Sequence, residues 1–122
     1  MVIIQAFNNK CYKNMSTSRY KVTAIIYDKR GKKLGEGENS YSKTHPLQAH
    51  YGRIANQPLR IFLHAEIQAI IRAFKNFPNS EPYKISITRT NVKTGNTGLA
   101  APCPICALAI KEAGISRIEY SL

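Results

Sequence analysis

Two short fragments of the 122-residue chain carry side chains that could perform chemistry together. His64 and Glu66 lie two residues apart in the first fragment, and Cys103 and Cys106 lie three residues apart in the second. Cysteines with this spacing point the same way from the first turn of a helix, so both can bind one ion. Zinc accepts imidazole nitrogen and thiolate sulfur in a tetrahedral set, and a catalytic site keeps one position for water. The predicted zinc ligands are therefore His64, Cys103 and Cys106.

Both fragments fall where a helix should begin. Apolar residues recur at intervals of three and four over residues 62–76, which predicts an amphipathic helix that ends before Pro78. A second apolar face predicts a helix that begins at Pro104 and has Gly114 as its C′ residue. The positive end of a helix dipole favours thiolate, which is the form of cysteine that binds metal.

The carboxylate of Glu66 is too close in sequence to His64 to be needed as a ligand. It is well placed to contact a water molecule on the metal, where a carboxylate can carry a proton. By themselves, the two cysteines could form a redox pair or half of a structural zinc site. The upstream His-x-Glu fragment favours a catalytic zinc instead.

The remaining elements should form a sheet. Residues 20–27 and 33–39 are predicted to be antiparallel strands, joined by the basic, solvated hairpin turn at residues 28–33. Alternation at residues 83–88 predicts a third strand, and residues 115–120 a fourth. A helix that joins two strands normally makes a parallel crossover. This order predicts an α/β sandwich built around one sheet.

Two segments give weaker signals. Residues 3–13 have loosely helical apolar spacing, which predicts a helix containing Cys11. Residues 40–60 are polar and long enough that they should be a functional loop or contain a short helix. We interpret His45 and His50 as loop histidines with local hydrogen bonds, because the zinc already has its ligands.

Length, composition and charge narrow the class of protein. The length suits a single domain, residues 1–122. No apolar run approaches the roughly 20 residues that span a bilayer, and the start lacks the features of a signal peptide, so we expect no membrane span and a cytoplasmic protein. Three cysteines, an odd number, argue against a disulfide framework. The formal charge of +11 favours a polyanionic partner or an anionic substrate.

His-x-Glu followed by Pro-Cys-x-x-Cys is the signature of zinc-dependent base deaminases. Through both motifs the chain resembles the cytidine deaminase-like superfamily, and the segment Leu34-Gly35-Glu36-Gly37-Glu38-Asn39 looks like the Gly-x-x-Asn region of that family. The resemblance implies a three-layer sandwich with a mixed sheet of about four strands flanked by helices. It also implies bound Zn²⁺ and hydrolytic deamination of a cytosine-bearing nucleoside or nucleotide by a homo-oligomer.

The resemblance also implies roles for individual residues. Glu66 would take a proton from the zinc-bound water and pass it to the base and to the departing amine. The backbone amide of Ala65 would hold the carbonyl oxygen of the base, and Asn39 would contact the sugar. Tyr41 is a candidate for stacking on the base, as are Tyr51 and Phe62, and ordinary packing is the alternative for each aromatic.

The substrate and one rival site remain open at the level of sequence. Nucleotide and transfer-RNA deaminases of this group often carry Asp-Pro-x-x before the histidine, where this chain has Arg60-Ile61-Phe62-Leu63. Cytosine in single-stranded DNA or RNA is the second substrate class, supported by the positive charge, and adenine is the third. The non-enzymatic rival is a small basic nucleic-acid-binding module in which Cys11 supplies a fourth ligand to a structural zinc.

Overall fold

The fold is described by a computed structural model covering residues 2–4 and 20–122. Its elements, in chain order, are β1 Val2–Ile4, β2 Tyr20–Tyr27, β3 Lys33–Glu38, α1 Pro46–Ile54, α2 Ala65–Asn76, β4 Lys84–Asn91, β5 Thr97–Gly98, α3 Pro104–Glu112 and β6 Arg117–Tyr120. The strands form one mixed sheet in the order β1-β6-β4-β2-β3, with β5 paired to β4. The α/β class and the sheet flanked by helices are thus confirmed.

The predicted hairpin is present as β2 and β3. Asp28 closes its turn, because Oδ1 accepts hydrogen bonds from the backbone N–H groups of Arg30 and Lys32. Gly31 has a φ of +89°, a conformation that glycine adopts at little cost. The two strands are antiparallel, and β2 also pairs antiparallel with β4.

The predicted crossover is present as β4, α3 and β6, with the two strands parallel. Pro104 occupies the first turn of α3, and Gly114 follows the helix with a φ of +80°, as a C′ glycine should. The Cys-bearing helix therefore begins where the sequence predicted. Because it connects two paired strands of the sheet, its N-terminus is fixed relative to the sheet.

Helix α2 lies against the sheet at unusually short range. A Cβ atom on Gly35 or Gly37 in β3 would collide with the backbone of Ala65, Ala69 or Ala73. Only glycine allows this approach, which sets where the start of α2 stands over the sheet. Large, fully buried apolar side chains come from the sheet and from α2 and α3, among them Ile26, Leu34, Ile67, Ile85, Ile87, Ile105, Ile110 and Ile118.

The predicted start of α2 was wrong by three residues. The helix begins at Ala65 with His64 as its N-cap, whereas Phe62 forms an isolated antiparallel bridge with Thr44. The backbone of Leu63 explains this, since its N–H donates to Lys43 and its carbonyl accepts from Ser40. Apolar spacing alone does not distinguish this extended approach from a first helical turn.

The prediction for the N-terminal segment was also wrong where it can be compared. Ile3 and Ile4 belong to β1, which pairs antiparallel with β6, and not to a helix. Cys11 and the rest of the predicted helix lie outside the described residues. The sheet has six strands instead of about four, and the additional ones, β1 and β5, are three and two residues long.

The polar stretch at residues 40–60 contains α1, one of the two predicted alternatives. His45 is its N-cap, with Nδ1 accepting a hydrogen bond from the Leu47 N–H over 3.0 Å, and Pro46 occupies the first turn. Within the part of the chain that the structure describes, no helix has the length and apolar character needed to cross a membrane.

Candidate metal centre and active site

The three predicted zinc ligands converge. His64 Nδ1 lies 3.1 Å from Cys106 Sγ and 3.5 Å from Cys103 Sγ. The three ligand atoms all lie within 4.8 Å of one another. In a tetrahedral zinc site, Zn–N and Zn–S bonds place nitrogen and sulfur about 3.6 Å apart. The donor types and their spacing therefore fit Zn²⁺.

The protonation of this group suits metal binding. Burial, and secondarily the positive charge of Arg60, lowers the pKa of His64 from 6.5 to about 4. The imidazole is therefore neutral at pH 7 and can use Nδ1 as a ligand. Cys103 and Cys106 are both buried and are not joined in a disulfide, so a metal can use both sulfur atoms.

The helix N-termini bring the ligands together. His64 is the N-cap of α2 and Cys103 the N-cap of α3, and neither side chain makes a capping hydrogen bond to its own helix. Cys106 follows in the first turn of α3. Because α2 packs beside α3, the two positive helix ends meet at the three ligands, where they favour thiolate.

Glu66 lies in the first turn of α2 and is buried, with 6% of its surface exposed. A carboxylate at a helix N-terminus is stabilised by the helix dipole. Glu66 lies two residues after His64, at the position for which the sequence predicts a proton carrier.

Asn39 follows the end of β3, close to the start of α2. Its neighbour Ser40 donates its backbone N–H to Leu63, the residue before His64, over 2.9 Å. The side chain is anchored to β2: Oδ1 accepts from the Val22 N–H over 2.9 Å, and Nδ2 contacts the Tyr20 carbonyl at 3.4 Å. Asn39 therefore borders the metal centre with a fixed orientation.

Comparison with known families supports this interpretation of the site. The family model for the cytidine and deoxycytidylate deaminase zinc-binding region matches residues 1–122. The chain belongs to this family. No curated protein matches it significantly. The family and the His64, Cys103 and Cys106 group together support zinc as the cofactor and a zinc-dependent deaminase as the general class.

Sequence reasoning missed one residue at this deaminase centre. Gln48, in α1, is fully buried, and its Oε1 accepts a hydrogen bond from the backbone N–H of His64 over 3.1 Å. Its Nε2 has no hydrogen-bond partner among the described residues. A glutamine in a polar stretch looks like a surface residue, so nothing in the sequence indicated this contact. Gln48 fixes the backbone of a metal ligand from a separate helix.

The candidate stacking residues occupy different environments. Tyr41 is exposed, although its hydroxyl donates to the Tyr20 carbonyl over 3.0 Å, and Phe62 is also exposed. The backbone pairing of residues 40–44 with residues 62–63 places these two aromatics near the family's metal centre. Tyr51 instead packs against the hydrophobic core, which favours the packing alternative for this residue.

His45 and His50 are not part of the metal centre. Among the described residues, His64, Cys103 and Cys106 form the one metal-binding group of histidine, cysteine and carboxylate side chains. His45 caps α1, and His50 makes an edge contact with the ring of Tyr51. The interpretation of both residues as histidines with local contacts agrees with these positions.

Ala65 is the first residue of α2 and is completely buried. The first N–H groups of a helix have no partner within the helix itself, so the Ala65 amide is a donor suited to a ligand oxygen. This is the amide for which the resemblance implies contact with the carbonyl oxygen of a base.

A cleft of about 320 Å³ lies between β3 and α2, and the zinc ligands do not line it. Gln68 accepts the Glu38 N–H there, and Arg72 donates to the Glu36 carbonyl. These side chains satisfy backbone groups at the edge of the sheet. Asn39 also lines this cleft, so the cleft reaches the predicted sugar contact although it does not include the metal ligands.

Proposed function

We propose that the chain is a zinc-dependent hydrolytic deaminase that converts a cytosine-bearing nucleoside or nucleotide to its uracil form and releases ammonia. The observation that carries this proposal is the convergence of His64 Nδ1 with the Cys103 and Cys106 sulfurs, beside the buried carboxylate of Glu66. Membership of the deaminase family supports the same reaction class.

Zinc held by the three side chains would lower the pKa of water to about 7 and so make a hydroxide nucleophile available at neutral pH. The Glu66 carboxylate accepts the proton lost by the attacking water and donates it to the ring nitrogen beside the reacting carbon. In the second half of the reaction, Glu66 takes the proton of the new C4 hydroxyl and delivers it to the amine nitrogen, so that the carbonyl forms as the carbon–nitrogen bond breaks. Water and the cytosine amine thus become the uracil carbonyl and ammonia.

Three further groups orient the substrate in this proposal. The Ala65 N–H, at the positive end of α2, holds the carbonyl oxygen of the base. Asn39, fixed against β2, contacts the sugar through its amide. Tyr41 lies near the entrance with an exposed ring and stacks on the base.

A substrate panel on zinc-loaded protein tests the proposal. We expect ammonia release from cytidine, deoxycytidine or their monophosphates, measured alongside adenosine as the competing base. The proposal fails if protein carrying one zinc per chain releases no ammonia from any cytosine substrate. Ammonia release from adenosine alone would support the zinc-dependent reaction but identify adenine as the substrate base, because attack at C6 of adenine uses the same groups.

One observation favours single-stranded nucleic acid as a second candidate substrate. The exposed aromatics Tyr41 and Phe62 lie near Lys43, and the sequence has no acidic residue between Glu38 and Glu66. Aromatic stacking with basic side chains is how many proteins bind single strands. This candidate predicts activity on oligonucleotides that falls steeply with salt, because binding releases counterions.

The structural-zinc alternative depends on Cys11, which lies outside the described residues. Zinc content and ammonia release should be measured for the Cys11→Ser variant. A catalytic zinc with three protein ligands predicts little change in either measurement. Loss of the metal would instead support a four-ligand structural site and the nucleic-acid-binding module.

Two predictions concern the protein in solution. A cytoplasmic location remains our prediction. A homo-oligomer also remains our prediction, because exposed sheet edges gain from pairing. Sedimentation velocity on the zinc-loaded protein would measure the oligomeric state directly.

A further inference from the structure

The sheet beneath the metal centre contains an arginine with no role in the proposed reaction. Arg89 in β4 stands opposite Val22 in β2. The N–H of Val22 donates to Asn39 Oδ1 over 2.9 Å, and the Val22 carbonyl accepts from the Asn39 N–H over 3.1 Å. Asn39, Val22 and Arg89 therefore form one row across three adjacent strands.

This row lies on the sheet face that α2 covers. Side chains two residues apart in a strand share a face, so Val22 points the same way as Ala24. Ala24 stands opposite Gly37, where a Cβ would collide with the start of α2, whereas a Cβ on Gly35 would meet a later turn. Moving along β3 toward its C-terminal end thus leads to the start of α2. The row is consequently at the end of the sheet where the metal centre lies.

The guanidinium of Arg89 lies over an aromatic ring. Its guanidinium carbon lies 4.1 Å from the centre of the Tyr20 ring. The Nε atom is buried and has no hydrogen-bond partner among the described residues. None of the ion pairs Lys21–Glu38, Lys33–Glu36 and Lys84–Glu119 involves Arg89. The Tyr20 ring therefore holds the guanidinium in place as a preoriented donor group.

The surroundings link this pair to both sides of the site. The carbonyl of Tyr20 accepts hydrogen bonds from Tyr41 and Asn39, which are two of the three proposed substrate contacts. Ser121 Oγ accepts from the Arg89 N–H over 3.0 Å. The Ser121 carbonyl accepts from the N–H of Ala100, three residues before the ligand Cys103. Hydrogen bonds therefore connect the Tyr20–Arg89 pair to Asn39 and Tyr41 on one side and to the segment before Cys103 on the other.

We propose that the Tyr20–Arg89 pair binds a phosphate group of the substrate, so that the preferred substrate is a phosphorylated cytosine nucleotide and not the free nucleoside. This inference rests on the proposed function. The planar guanidinium fork matches phosphate oxygens, and stacking on Tyr20 reduces the freedom lost on binding. A base at the metal and a sugar at Asn39 leave the phosphate as the next group outward, toward Tyr20. A 5′-phosphomonoester and a backbone phosphodiester share this chemistry.

Arg117 provides the matched control. Its Nε is also buried and has no hydrogen-bond partner among the described residues, so that property alone does not identify a site. Arg117 stands opposite Lys84, at the other end of β4 from Arg89. The five residue steps from position 84 to position 89 correspond to roughly 17 Å along the strand. The Arg117→Gln variant removes a comparable charge away from the proposed phosphate site.

The test compares binding of cytidine and cytidine monophosphate by calorimetry. Zinc-loaded Glu66→Gln protein is used so that the ligands are not turned over. We expect the monophosphate to bind about 10- to 100-fold more tightly than cytidine, as for hydrogen bonds to a charged group. Adding Arg89→Gln should remove most of that difference and leave cytidine binding nearly unchanged. Adding Arg117→Gln should leave both affinities unchanged.

Kinetics and a conservative variant distinguish loss of a direct contact between Arg89 and phosphate from a packing defect caused by the substitution. With Glu66 intact, Arg89→Gln should raise KM for the monophosphate by about 10-fold or more with little change in kcat. Arg89→Lys, which keeps the charge without the fork, should recover part of the loss. Phosphate binding is refuted if Arg89→Gln weakens the binding of cytidine and of its monophosphate equally. It is also refuted if protein that retains Arg89 shows no preference for the monophosphate. Either result leaves the deaminase proposal intact.

A short deoxyoligonucleotide with one internal cytosine distinguishes the two sources of phosphate. If binding of the monophosphate depends on Arg89, the bound phosphate belongs to a mononucleotide. If only binding of the oligonucleotide depends on Arg89, the bound phosphate is a backbone diester. If zinc-loaded protein with Glu66 releases no ammonia from any of these ligands, the proposed function itself fails, an outcome separate from loss of the phosphate preference.

Discussion

At the scale of single residues, the centre uses positions that would otherwise stabilise helices. His64 and Cys103 are both N-caps, yet neither side chain caps its helix. Replacing a good N-cap residue by a non-capping one typically costs about 0.5–2 kcal/mol of stability. Both side chains instead turn toward each other and toward Cys106. This choice of residues makes sense for a metal site and has no structural advantage without one.

The first prediction concerns the proton carrier. Glu66→Gln keeps the size of the side chain but removes the carboxylate that we propose accepts and donates protons. We expect unchanged zinc content and a fall in kcat of about 10²- to 10⁴-fold, the usual contribution of general acid–base catalysis. Elemental analysis and ammonia release measure the two quantities. Glu112→Gln, an exposed glutamate at the end of α3, is the control. Parental kcat in the Glu66 variant would show that another group moves the proton.

The second prediction concerns Gln48 as a positioning residue. Gln48→Leu removes the acceptor of the buried His64 N–H, which should lower the free energy of unfolding by about 1–3 kcal/mol. Because this backbone carries a ligand, zinc affinity should also fall, by about 10-fold or more. Chemical denaturation and chelator competition measure these effects. Gln48→Glu keeps an acceptor oxygen and should recover zinc affinity at least in part. A stability loss with unchanged zinc affinity would reduce Gln48 to a packing role.

The sequence predicted the metal ligands of the centre better than it predicted the residues that hold those ligands in place. His64, Cys103 and Cys106 were predictable because ligand type and spacing are themselves sequence patterns. Gln48 was not, because its contact with His64 spans 16 positions and depends on how α1 docks. Arg89 likewise gains significance only from the strand pairing that places it in the row of Asn39.

At the scale of elements, the position of α2 depends on its close packing against β3. The hairpin and the crossover were predictable from alternation and turn residues, whereas the two- and three-residue strands carry too few positions to show a period. The start of α2 was mispredicted because residues 62–63 continue the apolar spacing while their backbone pairs with residues 40–44. The periodicity of apolar residues shows which face of a segment is buried, but not the residue at which the backbone changes from extended to helical.

The third prediction tests this packing. Gly37→Ala places a methyl group against the backbone of Ala65, next to the ligand His64. Overpacking of this kind costs about 1–3 kcal/mol, and the shift of α2 should also weaken zinc binding. Denaturant unfolding and chelator competition are the measurements. Gly98→Ala is the control for stability, since its Cβ would meet neighbours at an ordinary 3.8 Å. Equal stability of the two variants would mean that α2 can move away from β3 at no cost.

At the scale of the whole molecule, the metal centre ties together segments that are distant in sequence. His64 comes from the start of α2 and both cysteines from the start of α3, while α1 holds His64 through Gln48. These are the helices that pack against one another. A metal bound to both α2 and α3 should therefore stabilise the native arrangement as a whole and not only its immediate surroundings.

The fourth prediction is the thermal response to zinc removal. A ligand that binds only the folded state at 1,000 times its Kd stabilises that state by about 4 kcal/mol. For a chain of this size, chelation should then lower Tm by roughly 10–20 °C. Scanning calorimetry before and after chelation, with zinc restored afterwards, measures the shift.

Cys106→Ser removes one ligand, so its Tm should respond much less to chelation. Because His64 and Cys103 would remain, any residual shift in this variant measures what two ligands retain. A parental protein whose Tm is indifferent to chelation would mean that α2 and α3 are fully held by packing, and that zinc serves the reaction without supporting the fold.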